Sequence, residues 1–235
     1  MIAAALSLVV TLSPAQAAPL EPVVVAIAVR NREKQAVTVE SPSADLFFLQ
    51  IRDDQIRDDQ IRDEHGRARF DSRTGHKPIA IRRKMTFARG TTPLASFVWS
   101  GLGDDQRPLD GPAGYVVRVG IETAGGTIGG EASLRLTAPI TIKAALAETS
   151  HNSVTVAGSP LPQSGGPPLL QDDSGSIALS RPLGFLPQGR FLVRGHVERT
   201  SSGVSFSVER SAPAPDNVTP FGSIAPRPSA SALPK

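Results

Sequence analysis

The sequence predicts an all-β protein, a β-sandwich followed by a small β-barrel. Three observations carry this. Short runs of Val, Ile, Leu and Phe recur about every ten residues, with no amphipathic helix between them. Gly and Pro stand at 21 each in 235 residues, enough to punctuate many short strands. The chain has no cysteine, so apolar packing rather than disulfides must hold those strands, and cysteine-type zinc sites are excluded.

Residues 1–17 read as a secretory signal. Ile2 to Val10 is an apolar core, Pro14 breaks it, and Ala15-Gln16-Ala17 is a small-x-small cleavage site. No Lys or Arg precedes Arg30, so the usual positive start is missing. The alternative is a buried N-terminal strand or helix. The stretch is too short to span a bilayer, and nothing later approaches that length. The expected setting is secreted or periplasmic, with no transmembrane segment.

The first module is expected over 18–143. Val23 to Arg30 is a near-continuous apolar strand, and Ala36 to Glu40 alternates as a half-buried one. Pro78 to Arg82 is one more alternating segment. Ala88 to Pro93 reads as a turn, and Leu94 to Trp99 as a strand ending on the only tryptophan. Residues 101–112 are a loop. Ala113 to Ile121 and Ala132 to Thr137 complete the set, with the glycine-rich Gly125–Gly130 read as a flexible hairpin turn.

Between Phe47 and Phe70 stands a tandem repeat. Ile51–Gln55 and Ile56–Gln60 are both Ile-Arg-Asp-Asp-Gln, and a decayed copy follows at Ile61–His65. A period of five suits neither a strand, whose faces alternate every two residues, nor a helix, where it builds no apolar stripe. The repeat therefore reads as an insertion at the tip or in the arms of a hairpin. Two copies add ten residues, an even number, so the flanking strands keep their inward and outward faces.

The order of anchors resembles a known family. A strand ends at Val29-Arg30-Asn31; Val37-Thr38-Val39 precedes Ser41-Pro42-Ser43; an apolar strand leads into Arg62-Asp63-Glu64-His65-Gly66. Phe70 and Ser72 follow, then Arg89-Gly90 before Phe97-Val98-Trp99, then Gly114-Tyr115-Val116-Val117. Over Val23 to Thr137 this resembles the BsuPI-type intracellular proteinase inhibitor domain. The resemblance implies an immunoglobulin-like sandwich and raises proteinase inhibition as an activity. The chain departs from the pattern near Phe70, where a tryptophan-bearing strand is expected, and at the repeat.

The second module is expected over 144–211. Strands are read at Ser153–Gly158, Pro168–Gln171, Ser176–Leu179, Arg190–Glu198 and Val204–Arg210, with Asp172 to Gly175 as a tight turn. The motif order resembles a small OB-fold barrel, in which Gly158 and Gly195 relieve crowding at sharp bends. No helix is expected between the third and fourth strands, only Arg181 to Gln188. The tail 212–235 is Pro, Ser and Ala with little else, and is expected to be disordered.

Candidate chemistry is sparse. His65, His76, His151 and His196 form no ligand pair at metal spacing. The acidic pairs Asp53-Asp54, Asp58-Asp59 and Asp63-Glu64 are interleaved with Arg52, Arg57 and Arg62, and read as a self-paired charge run. Asp172-Asp173 sits in a turn too short for a calcium loop. There is no Gly-x-Ser-x-Gly elbow and no cysteine nucleophile, and Gly125–Gly130 lacks the Lys of a phosphate loop.

Charge narrows the partners. Residues 144–211 hold five Arg and five acids, and the only aromatics there are Phe185, Phe191 and Phe206. Single-strand nucleic-acid binding wants a positive groove and stacking platforms, so these Phe residues are expected to fill the barrel and no nucleic acid is expected. Residues 62–89 hold nine Lys and Arg against three acids, including Arg82-Arg83-Lys84. The expectation is a non-catalytic binding or adaptor protein of the cell envelope, with no catalytic, cofactor or metal-binding residue. Its partner is expected to be a protein. The alternatives are a protease, and an anionic envelope polymer held by the basic cluster.

Overall fold

The computed structural model describes residues 5–43, 45–53, 69–75, 79–183, 189–201 and 203–215. Within them the chain is an all-β sandwich followed by a closed five-stranded barrel. The sandwich strands are β1 (Leu6–Ser13), β2 (Gln16–Ala17), β3 (Val23–Asn31), β4 (Val37–Ser41), β5 (Phe48–Asp53), β6 (Phe70–Asp71), β7 (Arg83–Phe87), β8 (Gly90–Trp99), β9 (Ala113–Thr123) and β10 (Gly126–Leu136). One sheet runs β1-β3-β8, the other β2-β10-β9-β5-β6, and β4 pairs β7 as a separate ribbon.

Alternation decides which residues make the core. Val23, Val25, Ile27 and Val29 of β3 point inward and are almost fully buried. They face Leu49 and Ile51 of β5 and Val117, Val119 and Ile121 of β9 in one apolar cluster. Their neighbours Val24 and Arg30 lie on the exposed outer face. Tyr115, near the start of β9, donates its hydroxyl to the Asp110 carbonyl five residues upstream at 2.8 Å. This is the tyrosine corner of immunoglobulin-like sandwiches. The single tryptophan, Trp99, is buried and donates Nε1 to the Leu102 carbonyl at 2.9 Å.

The apolar start of the chain forms a strand of the sandwich. β1 pairs antiparallel with β3 from Leu6↔Asn31 to Ser13↔Val24. The chain then crosses to the other sheet, where β2 runs parallel to β10. Leu6, Leu8, Leu12 and Ala17 are buried. Residues 6–17 thus cover one side of the sandwich in this fold.

Four expectations are corrected. Gly129 and Gly130 belong to strand β10, not to a turn; the tight bend is at Ala124 and Gly125. Gly130 is required by close approach, because a Cβ there would overlap the Leu8 carbonyl of β1. β8 begins at Gly90, so Thr91 to Pro93 are strand; Pro93 is tolerated because β8 lies at a sheet edge. Among the described residues, 79–82 join no strand ladder, and β7 starts only at Arg83. The last strand reaches Pro213, so the tail does not begin at 212.

β5 and β6 pair antiparallel through Gln50↔Asp71 and Ile51↔Phe70, the base of the hairpin read from the sequence. Ile51 is fully buried. The remaining copies of the repeat lie outside the described residues, as do most of the tail and Phe185.

The barrel is preceded by a short helix, α1 (Ile142–Ala147), and built from β11 (Val154–Leu161), β12 (Leu169–Asp172), β13 (Gly175–Leu179), β14 (Phe191–Thr200) and β15 (Gly203–Pro213). Its strands close in the order β11-β12-β13-β15-β14, with β13 and β15 parallel. Phe191 and Phe206 fill the interior with Val156, Leu170, Leu179 and Val193. A Cβ on Gly195 would overlap the Ser207 carbonyl of β15, which is why this bulged position is glycine. The helix supplies Ile142 and Ala145 to the same core. The barrel therefore has a helical plug, placed before its first strand, and the module starts at Ile142 rather than 144.

Candidate functional site

A seam joins the two modules. Leu20, in the link between β2 and β3, packs with Ala157, Leu192 and Ala212 of the barrel, with Leu102 and Ala214 against them. Leu20 is 2% exposed and holds a positive φ of 66°, a conformation uncommon for a branched residue and kept here by its burial. Beside it, Thr155 Oγ1 donates to the Pro19 carbonyl at 2.6 Å in a fully buried contact. Arg210 reaches the Ser100 carbonyl at 3.4 Å on the rim.

A polar chain runs from this seam to the surface. Glu21 accepts the Ala18 amide at 2.7 Å and lies 3.6 Å from the largely buried guanidinium of Arg194. On the barrel side stand Glu209, Ser153, His196 and Glu198. Ser153 donates its hydroxyl to Glu209. His196 sits between two carboxylates, with Nδ1 3.5 Å from Glu209 and Nε2 3.5 Å from Glu198. The Ser153 hydroxyl, with His196 and Arg194 behind it, holds the Glu209 carboxyl below its ordinary range against the opposing effect of burial.

This constellation holds Ser, His and Glu, so its order matters. A catalytic serine needs an imidazole on its hydroxyl and a carboxylate behind the imidazole. Here the carboxylate stands in the middle and the imidazole never meets the serine. What remains is an electrostatic bracket on the outer barrel wall. Arg194, His196 and Glu198 alternate along the sequence, and that period was its only visible signal.

A second polar cluster locks the base of the hairpin. Arg73 pairs with Asp71 and Glu122 at 3.2 Å each, and its guanidinium lies over the Phe48 ring at 4.3 Å. Burial raises the Asp71 carboxyl, but hydrogen bonds from Arg73 and Gln50 outweigh it and bring it below its usual value. Asp104, from the loop before β9, accepts the Thr74 hydroxyl at 2.6 Å. Every charge here has a partner inside the structure.

The acidic turn of the barrel is likewise structural. Asp172 accepts from Ser174 N, Ser174 Oγ and Gly175 N with one oxygen, and from Ile142 N at the start of α1 with the other. Burial raises this carboxyl, and those four bonds reverse the effect and lower it. Among the described residues no three His, Cys, Asp or Glu stand together as metal ligands. His151 is exposed; His65 and His76 lie outside the described residues.

The basic cluster falls at the end of the β4–β7 ribbon. Arg82, Arg83 and Lys84 are all exposed, and Arg82 Nε lies 3.8 Å from Glu40. An open groove of about 640 Å³ runs beside β2, lined by Gln16, Pro112, Tyr115 and Arg135. Among the described residues no helix is long and apolar enough to cross a membrane.

Fold and sites together define a two-module β protein, an immunoglobulin-like sandwich joined to an OB-like barrel. No family model matches the chain, and no curated protein matches it. It is similar to the solved structure of Spo0M, a sporulation control protein from Bacillus subtilis, at 16% identity and a TM-score of 0.37. That match covers 86% of this chain and 83% of that one.

Proposed function

We propose that this is a non-catalytic binding protein, an adaptor of the cell envelope that carries two β modules in fixed relation. The observation that supports this most is the seam. A buried leucine in a rare backbone conformation, a buried Thr155–Pro19 bond and the Glu21–Arg194 pair all serve to fix one module on the other. Such rigidity suits a protein that presents two surfaces to a partner at a set spacing. The polar clusters fit the same reading. Their charges are taken up by each other or by backbone groups, as expected of architecture rather than of groups poised to react.

The test is capture from the native envelope fraction with the full chain as bait. A protein partner retained by the wild type and lost when Leu20→Asp separates the modules is the expected result. No partner above background from either bait would overturn the reading. The proteinase inhibitor suggested by the family resemblance is told apart by a panel of serine proteases. Loss of protease activity at micromolar protein would replace the adaptor with an inhibitor.

A further inference from the structure

We infer that the end of the β4–β7 ribbon, residues 79–84, docks the protein on an anionic membrane surface. All six residues, Ile79-Ala80-Ile81-Arg82-Arg83-Lys84, are exposed. Ile79 is 66% exposed and Ile81 48%, two large aliphatic side chains in water within three positions of each other. Chance exposure of a single Ile needs no explanation, but paired exposure beside a basic run marks a contact surface.

The register shows why these residues are not core. Along β7, Phe87 is buried and packs in the sandwich cluster, with Met85 against it. Within β7, alternation puts Arg83 on that same side, and Ile79 and Ile81 lie before the strand begins. The ribbon stops at the Ser41↔Arg83 pair, and residues 79–82 join no ladder among the described residues. Charge follows the same segment. Residues 79–89 carry Arg82, Arg83, Lys84 and Arg89 and no acid. Glu40, which faces Lys84 across the ribbon and pairs with Arg82, offsets one of the four. The Arg82 side chain is 88% exposed even so.

Two occupants could meet a basic run, and the isoleucines choose between them. A soluble anionic polymer would take the guanidinium and ammonium groups but leave Ile79 and Ile81 in water. A membrane takes both: the apolar side chains enter the acyl boundary while Arg and Lys sit among the headgroup phosphates. Apolar insertion and a polybasic patch are the two signals that together give stable surface attachment. This inference goes beyond the adaptor reading and needs no protein partner, so either can fail alone.

The experiment is co-sedimentation of the full chain with vesicles of phosphatidylcholine alone or mixed with phosphatidylglycerol. Binding to the anionic vesicles only, weakening as salt rises, is expected. Each of Arg82→Gln, Arg83→Gln and Lys84→Gln should weaken it about fivefold, the equivalent of one basic residue near an anionic leaflet. The double variant Ile79→Ser/Ile81→Ser should weaken it as strongly at unchanged melting temperature, since both side chains are exposed. Equal sedimentation with neutral and anionic vesicles would overturn the proposal. So would isoleucine variants that bind like wild type, which would leave a purely ionic site for a soluble polyanion.

Discussion

The sandwich and the barrel close their sheets over very different stretches of chain. In the sandwich, the first strands must find partners more than a hundred residues away: Gln16 pairs with Arg135, and Leu8 packs on Gly130. In the barrel, all five strands and the helical plug fall within 142–213, so even its closing pairs, β11 with β14 and β13 with β15, join segments of one short stretch. Contacts between distant segments carry a larger loop-closure cost before they repay it. The barrel is thus a unit closed within one short stretch of chain, and the sandwich depends on its N-terminal strand to complete it. The seam through Leu20 ties that same N-terminal segment to the barrel, so the start of the chain serves both modules.

The sharpest way to break this comparison is to delete residues 1–17. Truncating a single buried Leu to Ala costs about 2–5 kcal/mol, and this deletion removes Leu6, Leu8 and Leu12 together. A domain stable by about 5–15 kcal/mol does not survive that loss. The sandwich should lose cooperative melting while far-ultraviolet circular dichroism retains a barrel-sized remnant. A shortened chain that melts like the full one would show that β1 is dispensable. The intact mass of protein from its native source belongs with this test, and a chain starting at Ala18 would show that the working fold lacks β1 and β2.

A smaller effect is expected from Tyr115→Phe, which removes the corner bond to Asp110 and little else. The expected loss is about 1 kcal/mol. It should fall on the sandwich transition and leave the barrel transition alone. The same residue gives a pH signature. Burial first, then the nearby Asp110 charge, pushes the phenol far above its ordinary value of 10.0. The folded state thus holds this proton more tightly than the unfolded chain. Its contribution is complete below pH 10.0 and is lost as pH rises toward the folded value. The chain has one tyrosine, so tyrosinate absorbance reports this site alone. Ionisation should coincide with alkaline unfolding of the sandwich; ionisation near pH 10.0 in the folded protein would contradict the buried corner.

The smallest effect is expected from deleting Ile51 to Gln60. Ile51 is a core residue, but the sequence supplies an identical Ile61-Arg62-Asp63 to take the place of Ile51-Arg52-Asp53. Loop closure changes by only about 0.6 kcal/mol per doubling of length. The melting temperature should hardly move. A large fall would mean the third copy cannot replace the first.

Much of the architecture was legible in the residues, because strand period and turn chemistry are local. Alternation in β4 and β9, the hairpin base at Ile51 and Phe70, and the crowded glycines Gly158 and Gly195 all follow from neighbours along the chain. The inward place of Phe191 and Phe206 follows from composition. What was not legible depends on partners far away in sequence. Thr91 to Pro93 look like a turn until β3 lies alongside them. Gly129 and Gly130 look like a loop until β1 packs against β10. α1 is only six residues long, too short for a periodic signal, although Thr141 caps it and accepts the Ala144 amide.

By itself, then, the sequence determined an all-β chain of a sandwich and a barrel, most of their strands and the absence of cysteine chemistry. These follow from side-chain period, turn residues and residue type. Only the tertiary structure decided that the apolar start is a core strand, that Leu20 seals a seam, and that Glu209 stands between Ser153 and His196. It also decided that Ile79 and Ile81 stay in water beside three cations. An apolar residue read in sequence has a preference but no neighbour, and only the packed chain shows whether that preference has been met.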